Sequence, residues 1–188
     1  MAHDSGWGFR AITRDAGIDF GWPKTNNIPV RNLAPLLSTA LFTVVVGTVA
    51  GYIPWRLRQN AAPVTGAAEW LAIFVIAIGI AIYLYTAFWG FALIGGGTPA
   101  PIAPTKILVV RGLHRYVRNP MYIGVGLAIA GQAWLFHSWH IAIYLTCVLV
   151  IVNFFVLFYE EPILRKQFGE EYERYRTSVP RWIPKIPR

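Results

Sequence analysis

Two long runs without a charged side chain constrain the fold of this chain more than any other feature. They are residues 33–55 and 70–94, and neither contains Asp, Glu, Lys or Arg. A helix rises roughly 1.5 Å per residue, so about 20 apolar residues cross a hydrocarbon core of ~30 Å. Overall, 55% of residues are hydrophobic and 14% are charged. Because the apolar excess is gathered in long runs, the sequence indicates a membrane protein rather than a soluble domain with a large core.

Two further apolar runs, residues 121–136 and 141–159, are separated by a short turn at 137–140. Such a tight turn predicts that the two helices lie antiparallel as a hairpin. Residues 163–177 then place one apolar and aromatic face opposite a charged one, which predicts an amphipathic helix at the membrane interface. The apolar face consists of Leu164, Phe168, Tyr172 and Tyr175.

The predicted fold class is therefore all-α. We expect a polytopic membrane helical bundle with about four transmembrane helices plus a C-terminal amphipathic interfacial helix. The predicted organisation is a polar, cytoplasmic N-terminal arm at residues 1–32 and a single membrane domain at residues 33–188.

The distribution of basic residues predicts the orientation of this bundle. The loop 95–118 and the tail after residue 159 are rich in Lys and Arg, whereas the turn 137–140 has neither. The positive-inside rule then places both termini and the 95–118 loop in the cytoplasm, and we expect a bacterial inner membrane. Arg56 and Arg58 fall on the outer side, where they conflict mildly with the rule. The net charge of +8 is attributed to topology and to attraction for anionic membrane lipids, not to nucleic acid.

The candidate functional residues lie at the cytoplasmic ends of the hairpin helices. Arg118 and Asn119 form a basic turn before the third apolar run, which continues through Tyr122, Gly124 and Gly126. The fourth run ends in two adjacent acids, Glu160 and Glu161. A basic loop, bare backbone and paired carboxylates at one membrane face suggest a site for a polar, partly cationic ligand.

Each of these features also has a simpler interpretation. Gly124 and Gly126 suit close helix packing, because small residues four apart let helix backbones approach each other. The two acids precede Pro162 and suit the N-terminus of a helix, and the arginines suit membrane topology alone. Gln132 and Asn153, polar residues inside the hairpin, predict interhelical hydrogen bonding, with substrate contact as the second reading. Four scattered histidines and one cysteine predict no metal site.

Five segments together resemble the superfamily of isoprenylcysteine carboxyl methyltransferases and phospholipid methyltransferases, which are integral membrane methyltransferases. Their order and spacing across a helical hairpin carry the resemblance. The segments are LVVRGL at 108–113, RYVRNPMYIG at 115–124, EEPIL at 160–164, FGEEYERY at 168–175 and VPRWIP at 179–184.

The resemblance implies an S-adenosylmethionine-dependent methyltransferase, with the donor bound on the cytoplasmic side of the hairpin. It implies a lipophilic or membrane-embedded acceptor, either the carboxylate of a prenylated cysteine-like molecule or a lipid amine. Arg118 and Glu161 would be catalytic. Positions implied to bind the donor are Asn119, Tyr122, Gly124, Gly126, Glu160, Glu161, Tyr172 and Tyr175; many relatives have His where this chain has Asn119.

Two other classes of protein are compatible with the same segments. One is an NADPH-dependent membrane sterol or polyprenol reductase, which would share the C-terminal hairpin and the Tyr-rich tail. The other is a non-catalytic lipid-binding membrane protein that kept the scaffold. Binding of S-adenosylmethionine, of NADPH or of neither separates the three.

Overall fold

The computed structural model describes residues 34–58, 62–88, 108 and 110–185. These residues form helices, turns and loops without a β-strand, which confirms the all-α prediction. All of them belong to one structural unit, residues 31–187. The α-helices are α1 (Ala34–Gly47), α2 (Ile53–Leu57), α3 (Ala67–Leu84), α4 (Pro120–Leu135), α5 (Trp139–Phe155) and α6 (Glu161–Ser178).

Three helical segments are long and apolar enough to cross a membrane. They are Leu37–Leu57, Ala67–Phe88 and the apolar part of Trp139–Ser178. The fourth apolar helix, Pro120–Leu135, has 16 residues and is therefore about 24 Å long, which is short for a span. All four predicted apolar segments are helical over the residues that the structure describes.

Several predicted boundaries differ from the observed ones. The second span begins at Ala67 rather than residue 70, and the predicted turn at 137–140 is shorter, because Trp139 already begins α5. His137 turns the chain there with a φ of 45°. The predicted arm at residues 1–32 lies outside the described residues, as does the end of the second span at residues 89–94.

The backbones of α3 and α4 touch each other. A Cβ atom added to Gly124 would lie 2.7 Å from the Gly79 carbonyl oxygen, and one added to Gly79 would lie 2.6 Å from the Gly124 oxygen. A Cβ atom on Gly131 would lie 3.0 Å from the carbonyl oxygen of Ala72. Packing therefore requires glycine at these positions, since helices approach this closely only through small residues.

A π-helical turn, Thr48–Tyr52, joins α1 to α2. Two of its carbonyl groups accept hydrogen bonds from other helices: Tyr144 Oη donates to Val49 O at 2.9 Å, and Gln132 Nε2 donates to Ala50 O at 2.6 Å. The interhelical bond expected at Gln132 is thus present, and it joins α4 to this turn. Irregular helix hydrogen bonding frees these carbonyls, and side chains from α4 and α5 satisfy them.

A second π-helical turn, Val156–Glu160, continues α5 into α6 without a break. The amphipathic helix was predicted at residues 163–177, and α6 contains this range, but Gly169 interrupts it with a φ of 52°. This left-handed conformation is accessible to glycine at little cost. The kink lies before Tyr172 and Tyr175, which are buried in a cluster with Val110 and Val179.

Candidate active site at the start of α4 and the end of α5

The two adjacent acids have different surroundings. Glu161 is 4% exposed and accepts three hydrogen bonds from two arginines. Arg118 Nη1 donates to it at 2.9 Å, and Arg181 donates through Nε at 2.7 Å and Nη2 at 3.0 Å. A carboxylate held by a bidentate arginine and a second guanidinium is ionised and fully engaged. Hydrogen bonding to Glu161 raises the pKa of the Arg181 guanidinium.

Glu160 has no such neutralisation. Its carboxylate accepts one hydrogen bond, from Tyr122 Oη at 3.0 Å. Within the described part of the chain, no Lys, Arg or His side chain lies within ion-pair distance of Glu160. A carboxylate at the edge of the apolar bundle without a cationic partner is costly unless a ligand supplies the charge.

Glu160 directly precedes α6 and Glu161 lies in its first turn, which is where the alternative interpretation places acids at a helix N-terminus. The helix nevertheless continues from α5 through Glu160 into α6, and Glu160 makes no capping hydrogen bond with its side chain. The fold also brings the acids to the start of α4. Arg118 contacts Glu161, and Tyr122 contacts Glu160, across the hairpin.

The C-terminal strap, residues 179–185, crosses the start of α4. Arg118 N donates to Pro180 O at 2.9 Å, and Lys185 N donates to Tyr116 O at 2.9 Å. Asn119 is buried, and its Nδ2 donates to Arg181 O at 3.2 Å. These bonds hold the turn before α4 in place. Asn119 therefore has a structural partner, and its role toward a donor stays a prediction.

Trp182 of the strap covers the polar side chains between α4 and α5. Its Nε1 donates to Asn153 Oδ1 at 3.0 Å, and its ring lies 6.5 Å from that of Tyr122. The prediction of an interhelical hydrogen bond at Asn153 is therefore wrong, because the partner of Asn153 is this non-helical strap. Arg181 and Trp182 are not among the functional residues predicted from the sequence. Both partners could have been sought from the chemistry of the sequence. A buried acid such as Glu161 needs cations, and an intramembrane amide such as that of Asn153 needs a hydrogen-bond donor.

Of the two α4 glycines in the candidate site, only Gly124 is explained by helix packing. Gly124 faces the backbone of α3, as described above, and a Cβ atom on Gly126 would lie 3.4 Å from Leu149 Cδ2 of α5. The packing interpretation is confirmed for Gly124. A direct role of Gly124 or Gly126 in binding a donor remains a prediction.

The two tyrosines of α6 close the site from the side of the 3₁₀ helix Gly112–Arg115. Arg118 Nη1 donates to Tyr172 Oη at 3.3 Å, and Tyr175 Oη donates to His114 O at 2.8 Å. Tyr172 thus contacts the same guanidinium as Glu161. Tyr175 instead fixes the loop from which Arg118 comes. In the described part of the chain, no cluster of His, Cys, Asp and Glu side chains could hold a metal ion.

His114 should make the fold sensitive to acid. Burial lowers the pKa of its imidazole from 6.5 to about 4. The unfolded chain therefore binds a proton at a higher pH than the folded chain. The stability that the neutral, buried imidazole contributes is present above pH 6.5 and is lost as the pH falls towards 4. The difference between the folded and unfolded pKa values corresponds to about 3 kcal/mol of unfolding free energy.

We expect the thermal unfolding temperature in detergent to fall over this pH range in the wild type. In His114→Gln the fall should be smaller, and the difference between the two proteins isolates His114 from the carboxylates. An equal decline in both proteins would contradict the assignment.

The described fold is that of an integral membrane protein with a polar site where one hairpin helix begins and the other ends. The sequence profile of the phospholipid methyltransferase family matches residues 69–171, more than half of the chain. The chain therefore belongs to the phospholipid methyltransferase family. The match includes α3, α4, α5 and the acid pair.

The chain also matches one curated relative, over a segment shorter than the family match. The chain is 36% identical over 83 residues to the protein-S-isoprenylcysteine O-methyltransferase of Schizosaccharomyces pombe. The matching segment is 43% of this chain and 34% of that protein. The match thus spans about a third of the length of the relative.

Proposed function

We propose that this protein transfers a methyl group from S-adenosylmethionine to a lipophilic acceptor at the membrane surface. The observation that carries the proposal is that Glu160 bonds only to Tyr122 among the described residues, because a half-buried carboxylate without a cation fits a cationic ligand. When bound, S-adenosylmethionine supplies an electrophilic methyl group on a positively charged sulfur. Family membership and the name of the relative support methyl transfer. The basic loop before α4 supports a cytoplasmic location of the site.

The residues divide into binding and positioning roles. Glu160 would hold a cationic group of the donor, and the hydroxyl of Tyr122 would orient that carboxylate. Glu161 would position Arg118. Tyr172, which contacts the same guanidinium, would fix it from α6. Holding donor and acceptor in line supplies much of the rate enhancement that a methyl transfer needs.

The environment of Arg118 favours a carboxylate as the acceptor group. Its Nε atom is buried and has no hydrogen-bond partner among the described residues. Arg118 and Arg181 together carry two positive charges, of which Glu161 neutralises one. An anionic acceptor would satisfy this excess, and a carboxylate needs no general base. For an amine acceptor, Glu160 would be the proton acceptor, because the lone pairs of Glu161 are already engaged.

Replacing Glu160 by glutamine should weaken donor binding at least about tenfold, since a charge-assisted hydrogen bond is lost. Titration calorimetry of S-adenosylmethionine into the protein in detergent micelles measures this. Glu170→Gln is the matched control, because Glu170 is an exposed acid of α6 with its side chain 91% exposed. Equal donor affinity in wild type and Glu160→Gln would contradict the site. NADPH binding without S-adenosylmethionine binding would favour the reductase class.

A further inference from the structure

A cavity lies between α3, α4 and a third wall formed by α1 and the π-helical turn that follows it. Its volume is about 400 Å³, within the range of about 300–1,000 Å³ typical of small-molecule sites. Its walls run from Thr43 in α1 to Gly51 in the π-helical turn, from Ile76 to Leu84 in α3 and from Gly124 to Gln132 in α4. Each wall is nine residues long and about 12 Å from end to end. The cavity is therefore a groove parallel to three apolar helical segments, two of which are long enough to cross a membrane.

The polar side chains that line this groove are already engaged. Thr43 Oγ1 donates to Thr39 O at 2.8 Å, so Tyr83 Oη donates to Thr43 at 3.0 Å. Gln132 Nε2 donates to Ala50 O and, at 3.0 Å, to Ala128 O. These bonds leave a lining that is otherwise apolar. A polar ligand would lose its hydration without finding donors, whereas a hydrocarbon chain loses nothing on entry.

Two glycines, Gly47 at the end of α1 and Gly51 in the π-helical turn after it, have no packing explanation. A Cβ atom added to Gly47 or Gly51 would meet nothing within 4 Å, and both residues line the groove. Gly79 and Gly124, by contrast, are held against backbone at 2.6 and 2.7 Å. Since glycine costs helix stability, bare backbone at Gly47 and again four residues later at Gly51 is better explained by space that the groove keeps open.

The groove adjoins the candidate active site. Val125 lines it and also packs, together with Tyr122, against a cluster that contains Tyr83 and Met121. Tyr122 is the residue that bonds to Glu160. At the other end, the bond between Gln132 and Ala50 joins α4 to the π-helical turn, which limits the length of the groove.

We propose that this groove binds the hydrocarbon chain of the methyl acceptor and sets the length of chain that is accepted. This proposal rests on the proposed function for the identity of the occupant. The reactive head of the acceptor would lie at Arg118, and its chain would run past Tyr83 towards Gln132. Gly47 lies one helical turn nearer the active site than Gly51. A bulky side chain at position 47 therefore leaves room for a shorter hydrocarbon chain than one at position 51.

The first experiment measures occupancy and does not depend on methyl transfer. The protein in micelles is irradiated with a long-chain fatty alcohol that carries a terminal diazirine, and the labelled peptides are mapped by mass spectrometry. We expect labelling of groove residues in the wild type and its loss in Gly47→Leu. Val45→Leu adds bulk to an exposed position of α1 and should not change the labelling. Labelling confined to residues outside the groove, or unchanged in Gly47→Leu, would overturn the proposal.

The second experiment measures chain selectivity with N-acetyl-S-geranyl-, S-farnesyl- and S-geranylgeranyl-cysteine as acceptors. In Gly51→Leu, and more strongly in Gly47→Leu, kcat/KM for the longest chain relative to the shortest should fall at least about tenfold, the loss expected when about two methylene groups lose apolar contacts. Donor affinity should stay unchanged. An unchanged profile in active protein would overturn the groove proposal. If none of the three is methylated, the carboxylate form of the proposed function fails, and the labelling decides the groove alone.

Discussion

Replacing Glu161 by glutamine should lower the free energy of unfolding by about 3 to 5 kcal/mol, the cost of leaving buried charges uncompensated. The side chain of Arg118 is only 10% exposed and that of Arg181 is 26% exposed. Both guanidinium groups would lose the one carboxylate that neutralises them. Reversible unfolding by sodium dodecyl sulfate in mixed micelles measures the change.

A double variant distinguishes charge from packing. Arg118→Leu in the Glu161→Gln background removes one unpaired cation, so the double variant should be more stable than the sum of the single effects predicts. The interaction energy of such a cycle isolates the pair. Additive losses would show that Arg118 and Glu161 do not depend on each other. Arg174→Leu is the control, because its ion pair with Glu170 is solvent-exposed and worth little.

Replacing Gly124 by alanine should destabilise the bundle by about 2 to 3 kcal/mol, a typical cost of overpacking. The added methyl group would lie 2.7 Å from the Gly79 carbonyl oxygen and 2.8 Å from the Tyr83 backbone nitrogen. Backbone atoms cannot rotate away as a side chain can. The two helices must therefore separate, and the same detergent-unfolding measurement should detect it.

Gly126→Ala is the matched control on the same helix. Its methyl group would meet only Leu149 Cδ2, at 3.4 Å, and alanine is the better helix former by up to about 1 kcal/mol. We expect unchanged or slightly increased stability. This folded variant also tests whether bare backbone at Gly126 is needed for the donor. Equal destabilisation by the two substitutions would contradict the packing assigned to Gly124.

These expectations change how the donor site is best tested. Substituting Glu161 or Gly124 would weaken donor binding even if neither residue touches the donor, because each supports the fold. Glu160 is the more informative position. Its carboxylate bonds only to Tyr122 among the described residues, so its removal should affect a ligand more than the scaffold.

The hairpin and the meeting of Arg118 with the acid pair were predictable from the sequence. A tight turn between two apolar runs makes them antiparallel, so the start of one lies beside the end of the other. The different roles of Glu160 and Glu161 were not predictable. The two residues are adjacent and chemically identical, and their partners, Tyr122, Arg118 and Arg181, come from three separate segments.

By itself, the sequence determined that this protein lies in a membrane, how many apolar helices it has, and which end of the hairpin carries charge. Those properties are sums over local stretches, since each apolar residue contributes to burial in lipid wherever its neighbours lie. The tertiary structure decided that Gly124 packs on α3, that Arg181 and Trp182 close the site, and that Gly47 and Gly51 face a groove. Each depends on atoms far apart in the chain approaching within a few ångströms, and residue type does not encode that approach.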